Sequence, residues 1–313
     1  MRKKILIFCD YFYPGFKAGG PITTLKSTIS QLSSDYSFNL VTRNHDYQDV
    51  VEYTHTRPDT WTQTPYGKVY YSGPSLMGVR QLLGIIGHVK PDIIYLNSLF
   101  SVKYSFTVLI VLKFVLRSNV KIVLCPRGEL NQSALSYSKF KKKGFLSIFK
   151  MLGLHRLVFW QATNIRELDQ IDKIFGINKN VLLAPNLTWG VNDEVRLSDL
   201  GKSVGELKVI FVARINDLKN LMLLLKVVSK SGLNIQLDIA GPIDEKSYWE
   251  ECQEVIALMN SAVSVTYLGE IENIDILDTI ANYHCLCLPT RGENFGQVIY
   301  EALSIGRPVI ISD

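Results

Sequence analysis

The chain of 313 residues is poor in the features that name a function at sight. It holds five cysteines, Cys9, Cys125, Cys252, Cys285 and Cys287, an odd set with no C-x-x-C pair. They read as reduced core residues, which excludes a disulfide framework and a zinc ribbon. Cys285 and Cys287 alternate along one predicted strand, poor geometry for a metal cage. No apolar run reaches the ~20 residues of a membrane-spanning helix, and the longest, 105–116, is interrupted by Lys113. The opening MRKKILIFCDYF has only about six consecutive apolar residues and no small-residue cleavage site, so it reads as a buried first strand rather than a secretion signal. Net charge is a mild and scattered +5, too weak for a nucleic-acid surface. Repeats and low-complexity segments are absent. A composition of 47% hydrophobic and 20% charged residues is that of a globular chain with ample core, and the length suggests two domains.

Through the first half, short apolar runs alternate with helical patterns. Strands are expected at 4–10, 38–42, 68–71, 93–96, 121–124 and 158–162, and helices from 22 to 32 and from 76 to 89. The first strand leads through YFYPGFKAGGP to Gly19-Gly20-Pro21 and a helix, the order in which doubly wound folds let backbone amides approach an anion. A flexible loop over the sheet is an equal reading. The polar loop 44–66 holds His45, Asp46, His55 and Trp61, where solvated positions are the commoner case. The fourth run ends at Asn97, and the fifth is followed by Pro126-Arg127-Gly128-Glu129. Residues 138–145 interleave Lys139, Lys141, Lys142 and Lys143 with Phe140 and Phe145, which fits contact with an anionic membrane as well as a solvated helix face. A capped helix start is read at 163–167.

Pro185-Asn186 begins a polar stretch that reads as a linker. Beyond it, strands are expected at 208–212, 235–240, 263–268 and 285–288, with helices at 221–230, 248–259 and 274–283. The loop 213–220 carries Arg214 and Lys219, then Asn220, a residue that tolerates the left-handed backbone region. The last stretch, GENFGQVIYEALSIGRPVIISD (292–313), organises the rest. It reads as a loop, a helix with Val298, Ile299, Ala302 and Leu303 as its apolar stripe, a Gly306-x-Pro308 exit, and a parallel strand at 309–311 covered on both faces. Glu293 and Glu301 stand on the order of 12 Å apart along the helix axis. Between them lie the amides of Phe295, Gly296 and Gln297, a ready place for an anion or sugar oxygens.

The G-E-x-F-G…E-A-x-x-x-G-x-P-V-I frame, together with Arg214 and Lys219, resembles the donor site of the retaining GT-B glycosyltransferases of family 4. The resemblance implies two Rossmann-like doubly wound α/β domains facing across a cleft. These are an acceptor-side domain at 1–185, a hinge at 186–205, and a nucleotide-sugar domain at 206–313 that is incomplete, since relatives of this kind run on further. By the same resemblance Glu293 contacts the transferred sugar and Glu301 the ribose. Arg214 and Lys219 neutralise the departing diphosphate, and Gly19, Gly20, Asn294, Phe295 and Gly296 complete the donor site. Arg127 and Asn97 become candidates for acceptor or phosphate contact, although Asn97 stands where many relatives have a histidine. The family also implies no cofactor and no obligatory metal, and the chain lacks the Asp-x-Asp pair that holds a divalent ion in the other large transferase fold.

The expected reaction is transfer of a hexosyl group from a nucleotide diphosphate sugar to a glycan or lipid-linked acceptor, with retention, in bacterial surface polysaccharide assembly. A cytoplasmic location at the inner face of the membrane goes with it. Two alternatives stand beside this reading: an inactive remnant that binds nucleotide sugar or membrane without turnover, and a sugar-nucleotide epimerase on the same scaffold. The epimerase is disfavoured by the absence of a histidine at Asn97 and Arg127.

Overall fold

The structure, a computed structural model, describes residues 2–116, 120–136, 139–176, 180–188, 200–272 and 274–312. Two compact units divide the chain, Met1–Leu187 and Thr188–Asp313. Of the hinge expected at 186–205, residues 189–199 lie outside the described residues, as does Ser138 of the basic segment.

The first unit is built on eight strands: β1 Lys3–Phe8, β2 Tyr36–Arg43, β3 Thr60–Thr64, β4 Gly67–Ser72, β5 Ile93–Leu96, β6 Lys121–Leu124, β7 Phe159–Ala162 and β8 Val181–Leu183. Their order is β3-β4-β2-β1-β5-β6-β7-β8, parallel except for the β3–β4 pair. Apolar residues occupy successive positions of β1, as a strand buried on both faces requires. Leu6 and Phe8 point into one core with Leu82 and Ile85 of helix α2 (Val79–Val89). Ile7 and Cys9 point into the other with Ile22, Leu25 and Ile29 of helix α1 (Gly20–Leu32).

The expected helix at 76–89 begins only at Val79. Strand β3 was not legible: Thr-Trp-Thr-Gln-Thr has no apolar alternation, because on this edge only Trp61 packs inward, edge-to-face on Tyr70 at 5.3 Å. The apolar run 102–116 is one α-turn region, α3 (Thr107–Val111), flanked by π-turns, and no described helix is long and apolar enough to cross a membrane. After it come α4 (Gln132–Ser136), α5 (Lys139–Met151) and α6 (Ile165–Phe175). The α6 cap is Asn164, whose Oδ1 accepts from Glu167 N at 2.8 Å, while the Glu167 carboxylate caps Thr163 in return.

The second unit has strands β9 Glu206–Val212, β10 Asn234–Ala240, β11 Val263–Gly269, β12 Cys285–Leu288 and β13 Val309–Ile311, all parallel in the order β11-β10-β9-β12-β13. Helices α7 (Leu221–Val228) and α8 (Lys246–Ala257) cover one face. Helices α9 (Ile276–Ala281) and α10 (Gln297–Ser304) cover the other. The order reverses at β9, whose neighbours β10 and β12 lie on opposite sides, and such a switch point leaves a crevice beyond the carboxyl ends of the strands. One expectation is overturned: β13 is parallel but not covered on both faces, since it is an edge strand with Ile310 and Ile311 52% and 53% exposed. Leu303 is likewise exposed, so the buried stripe of α10 rests on Ala302, with Val298 and Ile299 partly buried beside it.

Candidate donor site

Two loops meet at the switch point of the second unit. The loop after β9 needs a defined path, and the turn after β10 supplies it. Ile215 N donates to Pro242 O at 2.8 Å, and Asp244 N returns a bond to Ile215 O at 3.0 Å. Gly241 permits this approach: at φ +133°, a Cβ there would lie 2.1 Å from the Ala213 carbonyl oxygen. Asn216 then caps a 3₁₀ turn, Asp217–Lys219, by accepting from Lys219 N at 3.1 Å. Asn220 leaves the turn at φ 56°, the left-handed conformation that asparagine tolerates.

The loop after β12 is stitched to this one through Leu218, whose carbonyl accepts from Arg291 N at 2.8 Å and from Thr290 Oγ1 at 3.0 Å. The stitching brings Lys219 and Glu293 together, seventy-four positions apart in the chain: Lys219 Nζ stands 2.5 Å from Glu293 Oε2. Both side chains keep partial access to solvent, so the pair contributes only about 1 kcal/mol and is free to exchange partners. Arg214 is oriented by Asp244, which holds its NH1 at 3.4 Å and Asn216 Nδ2 at 2.9 Å. Asp244 was missed in the sequence because nothing in its spacing ties it to Arg214.

Helix α10 starts two residues later than the amides of Phe295, Gly296 and Gln297 suggest. Gly296 is its left-handed N-cap at φ 71°, so the Gln297 amide heads the helix, while Phe295 lies ahead of it with its ring stacked on Tyr300 at 4.6 Å. A Cβ at Gly296 would meet Ile299 Cδ1 at 2.7 Å and Glu293 Cγ at 3.1 Å, so the glycine holds Glu293 close to the helix start. Asn294 N donates to Glu293 Oε1 at 3.2 Å. Burial pushes the Glu301 carboxyl up to about 7, a shift that Gln297 lowers in part. Both amide atoms of Gln297 are nonetheless buried without a standard hydrogen bond among the described residues.

In the first unit, Gly19 is the positive-φ N-cap of α1 and Gly20 its first residue, with Asp46 bracing the loop before them by accepting from Phe16 N at 2.7 Å and Lys17 N at 3.1 Å. Asp46 is therefore a structural residue, and His45 sits beside it with Nδ1 2.9 Å from the Asp46 carbonyl. Arg127 and Asn97 are brought together: Arg127 Nε donates to Asn97 Oδ1 at 2.8 Å and NH2 to the Tyr95 hydroxyl at 2.9 Å, and NH1 donates to Asn186 Oδ1. All three guanidinium nitrogens thus have protein partners, so Arg127 fixes the end of β5 against residue 186. The neighbouring Glu129 carries more chemistry than the sequence suggested. Its carboxylate accepts from Ser98 Oγ at 2.7 Å, Leu99 N at 2.6 Å and Phe100 N at 3.2 Å, and burial pushes it up to about 7.

The basic segment forms α5, with Lys139, Lys141 and Lys143 exposed and Phe140 90% exposed. Lys142 departs from the expected patch. It folds back to donate to Ala134 O at 2.5 Å, over the Phe100 ring at 5.1 Å.

Comparison with known proteins agrees with this architecture. Residues 194–313 match the model of the family Glycosyl transferases group 1. No curated protein matches the sequence. Among solved structures, HepE of Anabaena in complex with UDP and glucose is 17% identical with a TM-score of 0.69, over 98% of this chain and 80% of that one. Sucrose-phosphate synthase of Thermosynechococcus elongatus is 15% identical with a TM-score of 0.70, over 99% and 81%. A lipopolysaccharide outer core galactosyltransferase, WaaB, is 16% identical with a TM-score of 0.60, over 99% and 80%. The chain has the GT-B fold of these glycosyltransferase structures, and the family match is confined to residues 194–313.

Proposed function

We propose that the protein transfers a hexosyl group from a nucleotide diphosphate sugar to a hydroxyl of a glycan acceptor, with retention of anomeric configuration. The observation that carries this is the meeting of Lys219 and Glu293 beside the Gly296 turn, at the switch point of the second sheet. Lys219 and Arg214 hold the diphosphate, where two negative charges gather as the glycosidic bond breaks. Glu293, released from Lys219, accepts hydrogen bonds from the sugar hydroxyls. Glu301 and Gln297 receive the ribose. Asn294 and the Phe295–Gly296 backbone border the sugar, and Gly19 and Gly20 present backbone to the phosphates. With no side chain among the described residues assigned as an enzymic nucleophile, the acceptor hydroxyl attacks from the face the diphosphate leaves, and the departing phosphate takes its proton. Neither a cofactor nor an obligatory metal enters this scheme. The binding of UDP by HepE supports the donor class.

For the acceptor, the proposal is a lipid-linked glycan of surface polysaccharide assembly, reached at the inner face of the membrane. Lys139, Lys141 and Lys143 with Phe140 on α5 support it, as charge and apolar surface together favour an anionic bilayer. The test is release of nucleoside diphosphate from a panel of nucleotide sugars with a glycan acceptor, followed by NMR of the new anomeric centre. An α-linked donor that yields an α-linked product supports the reading. Inversion, or no release with any donor, overturns it.

A further inference from the structure

The first sheet has its own switch point, at β1 between β2 and β5, and a cavity of about 450 Å³ opens there. Four charged residues line it: Asp10, Arg43, Lys103 and Glu129. The acids are already engaged. Asp10 Oδ1 pairs with Arg43 NH2 at 3.0 Å, and Glu129 accepts the three hydrogen bonds given above.

The cations are not balanced in the same way. Lys103 is 4% exposed, its ammonium donates to the Gly73 carbonyl, and among the described residues no carboxylate lies within ion-pair distance of it. Two of its three N–H donors remain. Arg43 stands near: its guanidinium lies 5.7 Å from the Tyr104 ring centroid and the Lys103 ammonium 5.3 Å from the same ring. Lys103 therefore brings to the cavity a buried ammonium with unused donors and no carboxylate within ion-pair distance, a charge that an entering anion pairs. Burial, followed by the Arg43 charge, pushes Lys103 down to about 8, in keeping with an ammonium that lacks its counter-ion.

We propose that this cavity binds the carboxylate or phosphate of an acidic sugar, between Lys103 and the Arg43–Asp10 pair, with Ser98 and Ser101 at its wall for hydroxyls. The inference rests on the transfer reading only in taking the ligand to be the sugar acceptor. It would make that acceptor a uronic acid or a sugar phosphate rather than a neutral hexose.

The test is titration calorimetry of the full chain with glucuronate, glucose 6-phosphate and glucose, each in wild type, Lys103→Met, Lys103→Arg and Lys219→Met. An acidic sugar is expected to bind at least tenfold more tightly than glucose, the scale of a hydrogen bond to a charged group. The preference is expected to be lost in Lys103→Met, retained in Lys103→Arg, and retained in Lys219→Met, where the donor loops are disabled. Preference for glucuronate alone or for glucose 6-phosphate alone names the anion. Should Lys103→Met not fold, shrinkage of the wild-type preference as salt is raised carries the same support. Equal affinity for glucose and both acids, or a preference that Lys103→Met leaves intact, overturns the inference. UDP binding, titrated separately, reports on the donor reading, so either claim can fail alone.

Discussion

Lys219 and Glu293 meet at 2.5 Å because two loops, each following a strand of the same sheet, are pinned to one another through the Leu218 carbonyl. In the proposed function the pair is the resting state of the donor site: a diphosphate replaces the carboxylate on Lys219, and Glu293 is then free for sugar hydroxyls. Lys219→Met is expected to weaken UDP binding by at least tenfold, and Glu293→Gln to leave UDP binding within about threefold while removing sugar transfer. Both variants should lose no more than about 1 kcal/mol of folding stability. Calorimetry, turnover and denaturant midpoints on the two proteins check this.

Gly241 lets the turn after β10 pack against the backbone of Ala213 and Arg214. Gly241→Ala places a methyl 2.1 Å from the Ala213 carbonyl oxygen, so the loop or the turn must shift. A loss of roughly 2–4 kcal/mol in the unfolding free energy is expected, with UDP affinity falling alongside. Gly19→Ala is the control: no atom lies within 4 Å of the added carbon, and only the cost of its φ of +67° remains, roughly 1 kcal/mol.

The pH dependence of stability follows from Glu301 and Glu129. Burial raises both carboxyls to about 7, so in this range the folded chain binds more protons than the unfolded one. Stability is therefore full below the unfolded carboxyl range and declines as pH rises from about 4.5 to 7. Glu301→Gln should flatten part of that decline and stabilise the protein at pH 8 by roughly 1–2 kcal/mol, a figure reduced for partial exposure. Denaturation curves at pH 5, 6.5 and 8 measure it.

Arg127 binds three protein groups at once. Its fork joins Asn97, Tyr95 and Asn186, and lysine has one nitrogen for three acceptors. Arg127→Lys is expected to cost about 2–3 kcal/mol, with no direct effect on UDP binding to the second unit.

On α5, Lys139, Lys141 and Lys143 changed together to Ala should reduce binding to vesicles of anionic phospholipid by on the order of a hundredfold, at about 1 kcal/mol per residue. Lys142→Ala should leave it unchanged, because that ammonium is turned onto Ala134 O. Vesicle sedimentation distinguishes the two.

Elements with buried faces could be read in advance. The runs at β1, β5, β6, β9 and β12 are apolar on both faces, β10 is apolar at alternate positions, and Arg214, Lys219 and Glu293 stood out through the resemblance of their loops to a donor site. What escaped was set by tertiary neighbours. Strand β3 is polar, since one face of an edge strand meets water, and β8 is short for the same reason. Asp244 and Lys103 act through residues twenty-eight or more positions away, Asn216 and Gly73, and no local pattern encodes such partners. The partners of Arg127 come from two segments, the end of β5 and residue 186, and no local pattern joins them.

The most direct test of the donor site is a thermal-shift panel of UDP-, GDP-, ADP- and TDP-sugars on the wild type and Glu301→Ala. Stabilisation by the sugars of one nucleobase, with at least half of the shift lost in Glu301→Ala, is the expected result and identifies the donor. No stabilisation by any member of the panel, or a shift that Glu301→Ala keeps in full, would contradict a nucleotide-sugar site at the start of α10.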